Sequence, residues 1–103
     1  MNARQNQQAP ALSMLAVADF INIGQLAVEY HRASVATGLA KSTYHKAIRD
    51  YECGEGRIHP GGPGFDELKA ETATEYAAYR AAGRAASNIK RRLDNACRKA
   101  VKS

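Results

Sequence analysis

From residue 23 onward, apolar and small residues recur alternately three and four apart. The first series is Ile23, Leu26, Tyr30, Ala33, Thr37, Ala40, Tyr44, Ala47 and Tyr51, with Ala27, Leu39 and Ile48 widening it. Such spacing keeps one face of a helix against a partner helix. A second series with the same spacing reads Phe65, Leu68, Thr72, Glu75, Tyr79, Ala82, Ala86, Ile89, Leu93, Ala96 and Ala100. Between them, residues 54–64 carry five glycines and two prolines, the punctuation that ends a helix and turns the chain. The pattern predicts helices over about 23–53 and 65–101, each on the order of 45–55 Å long, joined by a loop that favours antiparallel packing.

Upstream of the first series, Ala11–Phe20 has the composition of a short helix, and residues 1–10 are polar enough to form a flexible arm. Asn22 is placed to cap a new helix, Gln25 to reach back to it, and Ile21 to pack on Leu26, so the long helix is expected to start at about Ile23. The expected fold is therefore all-α. A single domain over 11–103 forms a long antiparallel helical hairpin with a short N-terminal helix over about 11–20.

The seam is lined by alanine and glycine. Gly38 and Gly83, among Ala33, Ala36, Ala40, Ala78, Ala81, Ala82 and Ala86, are expected to let the backbones approach closely. Tyr30, Tyr44, Tyr51 and Tyr79, with Ile89 and Leu93, fill the space along it. Such a seam buries little apolar area, and a chain of this size has a marginal core. Self-association of hairpins into a homo-oligomeric helical bundle, a dimer or higher, is the expected remedy.

Charge changes the picture at one end only. The 103-residue chain has a formal net charge of +5. Residues 1–79 hold seven Lys/Arg against nine Asp/Glu, whereas residues 80–103 hold eight against one, Asp94. Arg84, Arg91 and Arg98 recur every seven residues, which places them in a line opposite the seam, with Lys90 and Arg92 on its shoulders. A cationic line of this kind suits an acidic protein surface or nucleic acid. It also complements the negative end of a helix dipole. It lacks the interleaved aromatics of single-strand binders.

The segment from Ser34 to Ile48 resembles the turn and recognition helix of a helix-turn-helix, with Gly38 opening the turn and Leu39, Tyr44 and Ile48 as apolar anchors. That resemblance implies DNA contact by Lys41, Ser42, Thr43 and Lys46. The unbroken apolar spacing across Gly38 argues instead for a continuous helix, in which one glycine costs only about 1 kcal/mol. In the loop, Arg57, Ile58 and His59 are placed to act as a contact tip. The loop's glycines lack the Gly-Lys-Ser/Thr ending of a phosphate-binding loop, and Pro63 removes an amide from it.

The remaining chemistry is sparse. Cys53 and Cys97 lack metal or redox spacing and read as reduced thiols. His31, His45 and His59 do not assemble a ligand set, and Glu75, the one acid in the seam, has no catalytic companion in the pattern. No catalytic residue, cofactor or metal is expected. No stretch has the length of a membrane span or the form of a signal peptide, so a cytoplasmic location is expected. Together these features favour a non-catalytic interaction protein, an accessory regulator or inhibitor of the bacterial or phage kind, acting on a larger protein complex such as one of a host. The alternative is a nucleic-acid-binding protein using the basic C-terminal helix or the 34–48 segment.

Overall fold

A computed structural model describes the backbone of residues 2–102 and the side chains from Ala16 to Lys102. The fold is all-α, with no strand among the described residues, and the order is α1 (Asn2–Glu55), α2 (Phe65–Glu71) and α3 (Ala73–Lys102). The chain divides into two compact units. One combines Met1–His31 with Ser87–Ser103, and the other is Arg32–Ala86.

In the Arg32–Ala86 unit, the second part of α1 returns through a loop into α2 and the first part of α3. The antiparallel sense is fixed by side-chain contacts. Tyr44 meets Tyr76 at 5.2 Å between ring centroids and stacks on Tyr79 at 6.1 Å, while nearer the loop the Tyr51 hydroxyl donates to Glu67 Oε2 at 3.3 Å. Offset aromatic contacts of this kind add to the area they bury. Leu68, Thr72 and Ala86 are buried, and Ala33, Thr37, Ala40, Tyr44, Ala47, Tyr51, Phe65, Glu75, Tyr79 and Ala82 are half-buried. Two threonines occupy seam positions without needing a polar partner across the seam. Thr37 and Thr72 each donate their hydroxyl to the carbonyl four residues earlier, Ala33 and Leu68, at 2.8 Å.

In the other unit, Leu26 is buried at 5% exposure. Ile23 and Tyr30 on α1, and Ile89, Leu93, Ala96 and Ala100 on α3, are half-buried. Every residue of the two three-four series is thus buried or half-buried, but of the residues expected to widen the first only Ile48 is half-buried, while Ala27 and Leu39 are exposed, Leu39 at 66%.

The turn is built from two consecutive Pro-Gly steps. The Gly62 amide donates to the His59 carbonyl at 2.9 Å across Pro60-Gly61, and the Phe65 amide donates to the Gly62 carbonyl at 3.2 Å across Pro63-Gly64. Gly61 and Gly64 have φ of 77° and 80°, the left-handed backbone that a turn with proline at its second position requires of its third. Gly56, φ 85°, donates its amide to the Glu52 carbonyl at 2.7 Å and closes α1.

Four expectations are corrected. First, no helix boundary occurs near residue 22: α1 runs through it, and the backbone of residues 2–10, expected as an arm, is helical too. Met1 and the side chains of residues 1–15 lie outside the described residues. Asn22 costs a helix interior only a few tenths of a kcal/mol, whereas ending the helix there would orphan a full turn of amides and carbonyls. Ile21 is 56% exposed and does not serve as a staple for Leu26.

Second, the second helix is divided at Thr72, with φ −107° and ψ 12°. The Thr72 amide still donates to Leu68 and the Tyr76 amide to Thr72, at 3.0 and 2.9 Å, so the ladder crosses the bend. The apolar spacing passes through Thr72 unchanged and carried no mark of it.

Third, α1 is one helix across Gly38, so the 34–48 segment has no turn and is not a helix-turn-helix. Fourth, neither Gly38 nor Gly83 marks a close approach. Gly38 is exposed, Gly83 is half-buried, and a Cβ built on either meets nothing within 4 Å. The tyrosines between the helices set their separation instead.

A glycine with open space in a helix interior weakens the helix without serving packing. Gly83→Ala is therefore expected to raise unfolding stability by about 0.5–1 kcal/mol in urea denaturation. A close crossing at Gly83 would make the same change destabilising.

Candidate functional site

On α3, Arg84, Lys90, Arg91, Arg92 and Arg98 are all exposed. Within the unit that holds Ser87–Ser103, two arginines share a local arrangement. Arg91 Nη2 donates to Asn88 Oδ1, and Arg98 Nη2 donates to Asn95 Oδ1, each asparagine lying three residues earlier on the same helix face. The sequence thus repeats Asn-x-x-Arg at a seven-residue interval. Each bond engages one donor of a guanidinium that has five, and an exposed pair of this kind biases the side chain by only a few tenths of a kcal/mol. Arg84, in the other unit, has Ala81 at the corresponding position and lacks this support. The asparagines were not singled out in the sequence, although their spacing from the arginines was visible there.

The loop tip is differently arranged from expectation. Ile58 is half-buried, its amide donates to Glu52 Oε2 at 3.0 Å, and its Cδ1 lies 3.6 Å from where a Cβ on Gly64 would stand. It anchors the loop rather than projecting from it. Arg57 and His59 remain exposed beside it, and with Arg49, Glu52, Cys53 and Pro60 they line an open depression.

A second concavity of about 400 Å³ lies between α1 and α2/α3 of the same unit, lined by Tyr44, Phe65, Lys69, Thr72, Ala73 and Tyr76. Lys69 Nζ sits 5.3 Å from the Phe65 ring centroid, a cation–π contact at its rim. Only Tyr44 among its residues was an expected site residue. Phe65 and Thr72 are seam positions of the pattern, and Lys69 and Ala73 carry no signal in it, because a pocket formed where a seam opens leaves no separate trace in the spacing.

Of the residues the helix-turn-helix resemblance nominated, Lys41, Ser42 and Thr43 are exposed on the continuous α1. Lys46 is engaged by Asp50 at 3.2 Å, an exposed (i, i+4) pair contributing only a few tenths of a kcal/mol. Glu75, at its seam position, is half-buried, and its Oε2 is enclosed without a hydrogen-bond partner among the described residues. Cys53 is exposed and Cys97 half-buried, both as free thiols. Among the described residues no group of three or more His, Cys, Asp or Glu could hold a metal ion, and no helix is long and apolar enough to cross a membrane.

No protein-family model, curated protein or solved structure matches this chain.

Among the described residues, Tyr51 has a defined perturbation. Partial burial, then the negative charge of Glu67 and of Glu55, and then the hydrogen bond to Glu67 push its phenol above the ordinary value of 10.0. Its neutral form is favoured in the folded chain, so the stability it contributes is complete below pH 10 and is lost as pH rises through the raised folded value. Absorbance titration at the phenolate band is expected to place the component lost in Tyr51→Phe above the ordinary value of 10.0. The same variant should lose part of the wild-type drop in stability above pH 10.

Proposed function

We propose that this chain is a non-catalytic interaction protein that docks the cationic face of α3 onto an acidic surface of a larger protein. The observation that carries the reading is the pair of exposed arginines, Arg91 and Arg98, each restrained by its own asparagine. Restraining a long side chain before contact lowers the entropy lost on binding. A planar guanidinium is also suited to paired contact with carboxylates. The two arginines stand one step of the seven-residue repeat apart, about two helical turns or ~10 Å, which suits an extended acidic face rather than a single anion. Arg57 and His59 at the loop offer a second contact point in the other unit. The role that follows is that of an accessory regulator or inhibitor, acting by occupying its partner, in a cytoplasmic setting.

Nucleic acid is the second reading, favoured by the same excess of eight cations over one acid beyond Tyr79. The two differ in their response to salt and to substitution. Phosphate binding weakens steeply with salt because counterions are released, whereas salt mainly slows docking between charged protein surfaces.

Anisotropy titrations of labelled duplex and single-stranded DNA at two salt concentrations separate the readings. No micromolar, salt-steep binding is expected. Cross-linking in native cytoplasm followed by mass spectrometry is expected to return an acidic protein partner with the wild-type chain and not with the Arg91→Ala/Arg98→Ala variant. Micromolar DNA binding abolished by that double substitution would replace the proposal with the second reading.

A further inference from the structure

In the Arg32–Ala86 unit, α2 and the start of α3 present one face that continues across the bend at Thr72. Phe65, Lys69, Thr72 and Tyr76 follow each other four, three and four apart, the spacing of neighbours on one helix face. With Ala73, and with Tyr44 of α1, they enclose the concavity of about 400 Å³, a size within the ~300–1,000 Å³ of small-molecule sites. Three of its lining side chains are aromatic rings, and none is acidic.

Its walls are held by contacts within the unit. Tyr44 is braced by Tyr79 and Tyr76, at 6.1 and 5.2 Å between ring centroids. Thr72 is 3% exposed, and its hydroxyl proton is given to the Leu68 carbonyl. Two cations stand by the rings: Lys69 Nζ at 5.3 Å from the Phe65 centroid, and the Arg80 guanidinium at 5.8 Å from that of Tyr76. Lys69 has no ion pair among the described residues, so no carboxylate of this chain answers its charge. The Tyr76 hydroxyl accepts from Arg80 Nη1 at 3.0 Å and keeps its own proton to give.

We propose that this concavity binds a small aromatic carboxylate. The flat ring lies among Tyr44, Phe65 and Tyr76, where ring contacts add to the area they bury. The carboxylate meets Lys69 Nζ at the rim, a point charge on a flexible stem that reaches an anion without demanding one geometry. A cationic ligand would meet Lys69 and Arg80 with no acid in the wall to receive it, and a neutral ring would leave the lysine unanswered. The site shares no residue with the arginines assigned to partner contact, so each assignment stands or falls without the other.

Fluorescence anisotropy of naphthoate, titrated with the full chain, tests the proposal, and the chain has no tryptophan to interfere. Naphthoate is expected to bind with a Kd on the order of 100 μM. Lys69→Gln should weaken it about 5-fold, the upper end for an exposed ion pair, and leave competition by neutral naphthamide unchanged. Saturated decahydronaphthoate, with the same charge and skeleton, should compete about 5-fold less well than naphthoate. Ala73→Leu, at an exposed position where a larger side chain fills the concavity, should weaken naphthoate and naphthamide alike by about 10-fold or more. Lys102→Gln removes the same charge at the far end of α3 and is the control, expected to change nothing. Circular dichroism verifies that the variants stay helical. Four results would each overturn the proposal. They are no binding at about 1 mM, binding that survives Ala73→Leu, an equal response of naphthoate and naphthamide to Lys69→Gln, and decahydronaphthoate competing as well as naphthoate.

Discussion

The constraint on which everything else depends is how little a helix can bury against a single neighbour. A helix packed on one side hides one stripe, and when that stripe is rich in alanine and threonine the hidden area is small. Leu26, Leu68, Ala86 and Thr72 are the buried residues among those described. Much of what remains in the seam is tyrosine, half-covered and contributing through ring contacts such as those of Tyr44 with Tyr76 and Tyr79. The two seam threonines turn their hydroxyls back onto their own helices, so the seam need supply no polar partner for them. Glu75 is the exception, an acid at a seam position with one enclosed oxygen unpaired, and such groups cost stability rather than adding it.

A thin core makes the other faces informative. Surface that is neither seam nor ordinary solvated polar face falls into two kinds here, and they carry opposite physics. Part of α1 presents exposed apolar side chains, Val17, Phe20, Ile21 and Val28, while α3 presents arginines held by asparagines. The first suits contact driven by area, the second contact driven by charge and geometry.

The seam was legible from spacing alone, since period and burial are two expressions of the same geometry. From Ile23 to Tyr51 and from Phe65 to Ala100, no position of the three-four series is exposed, although Ala27 and Leu39, expected to widen it, are. The turn was equally legible, because Pro60-Gly61 and Pro63-Gly64 each specify one kind of bend. What misled were local signals outweighed by their surroundings. Asn22 and Gln25 spell a helix start, yet continuing an existing helix costs less than restarting it. Gly38 looked like a hinge or a crossing point, but with helix on both sides and open space around it, it is neither. The division at Thr72 has no counterpart in the apolar pattern. Of the binding features, the arginine spacing is visible in the sequence, whereas the bonds of Arg91 and Arg98 to Asn88 and Asn95 belong to the folded helix.

The central claim is that α1 is one helix through Gly38 whose seam meets the returning chain at the tyrosines. Nuclear Overhauser contacts among the tyrosine rings test it most directly. The account predicts cross-peaks from the Tyr44 ring to both Tyr76 and Tyr79, together with helical carbon shifts unbroken from Tyr30 to Tyr44. Absence of those cross-peaks, with a loss of helical shifts around Gly38, would contradict it.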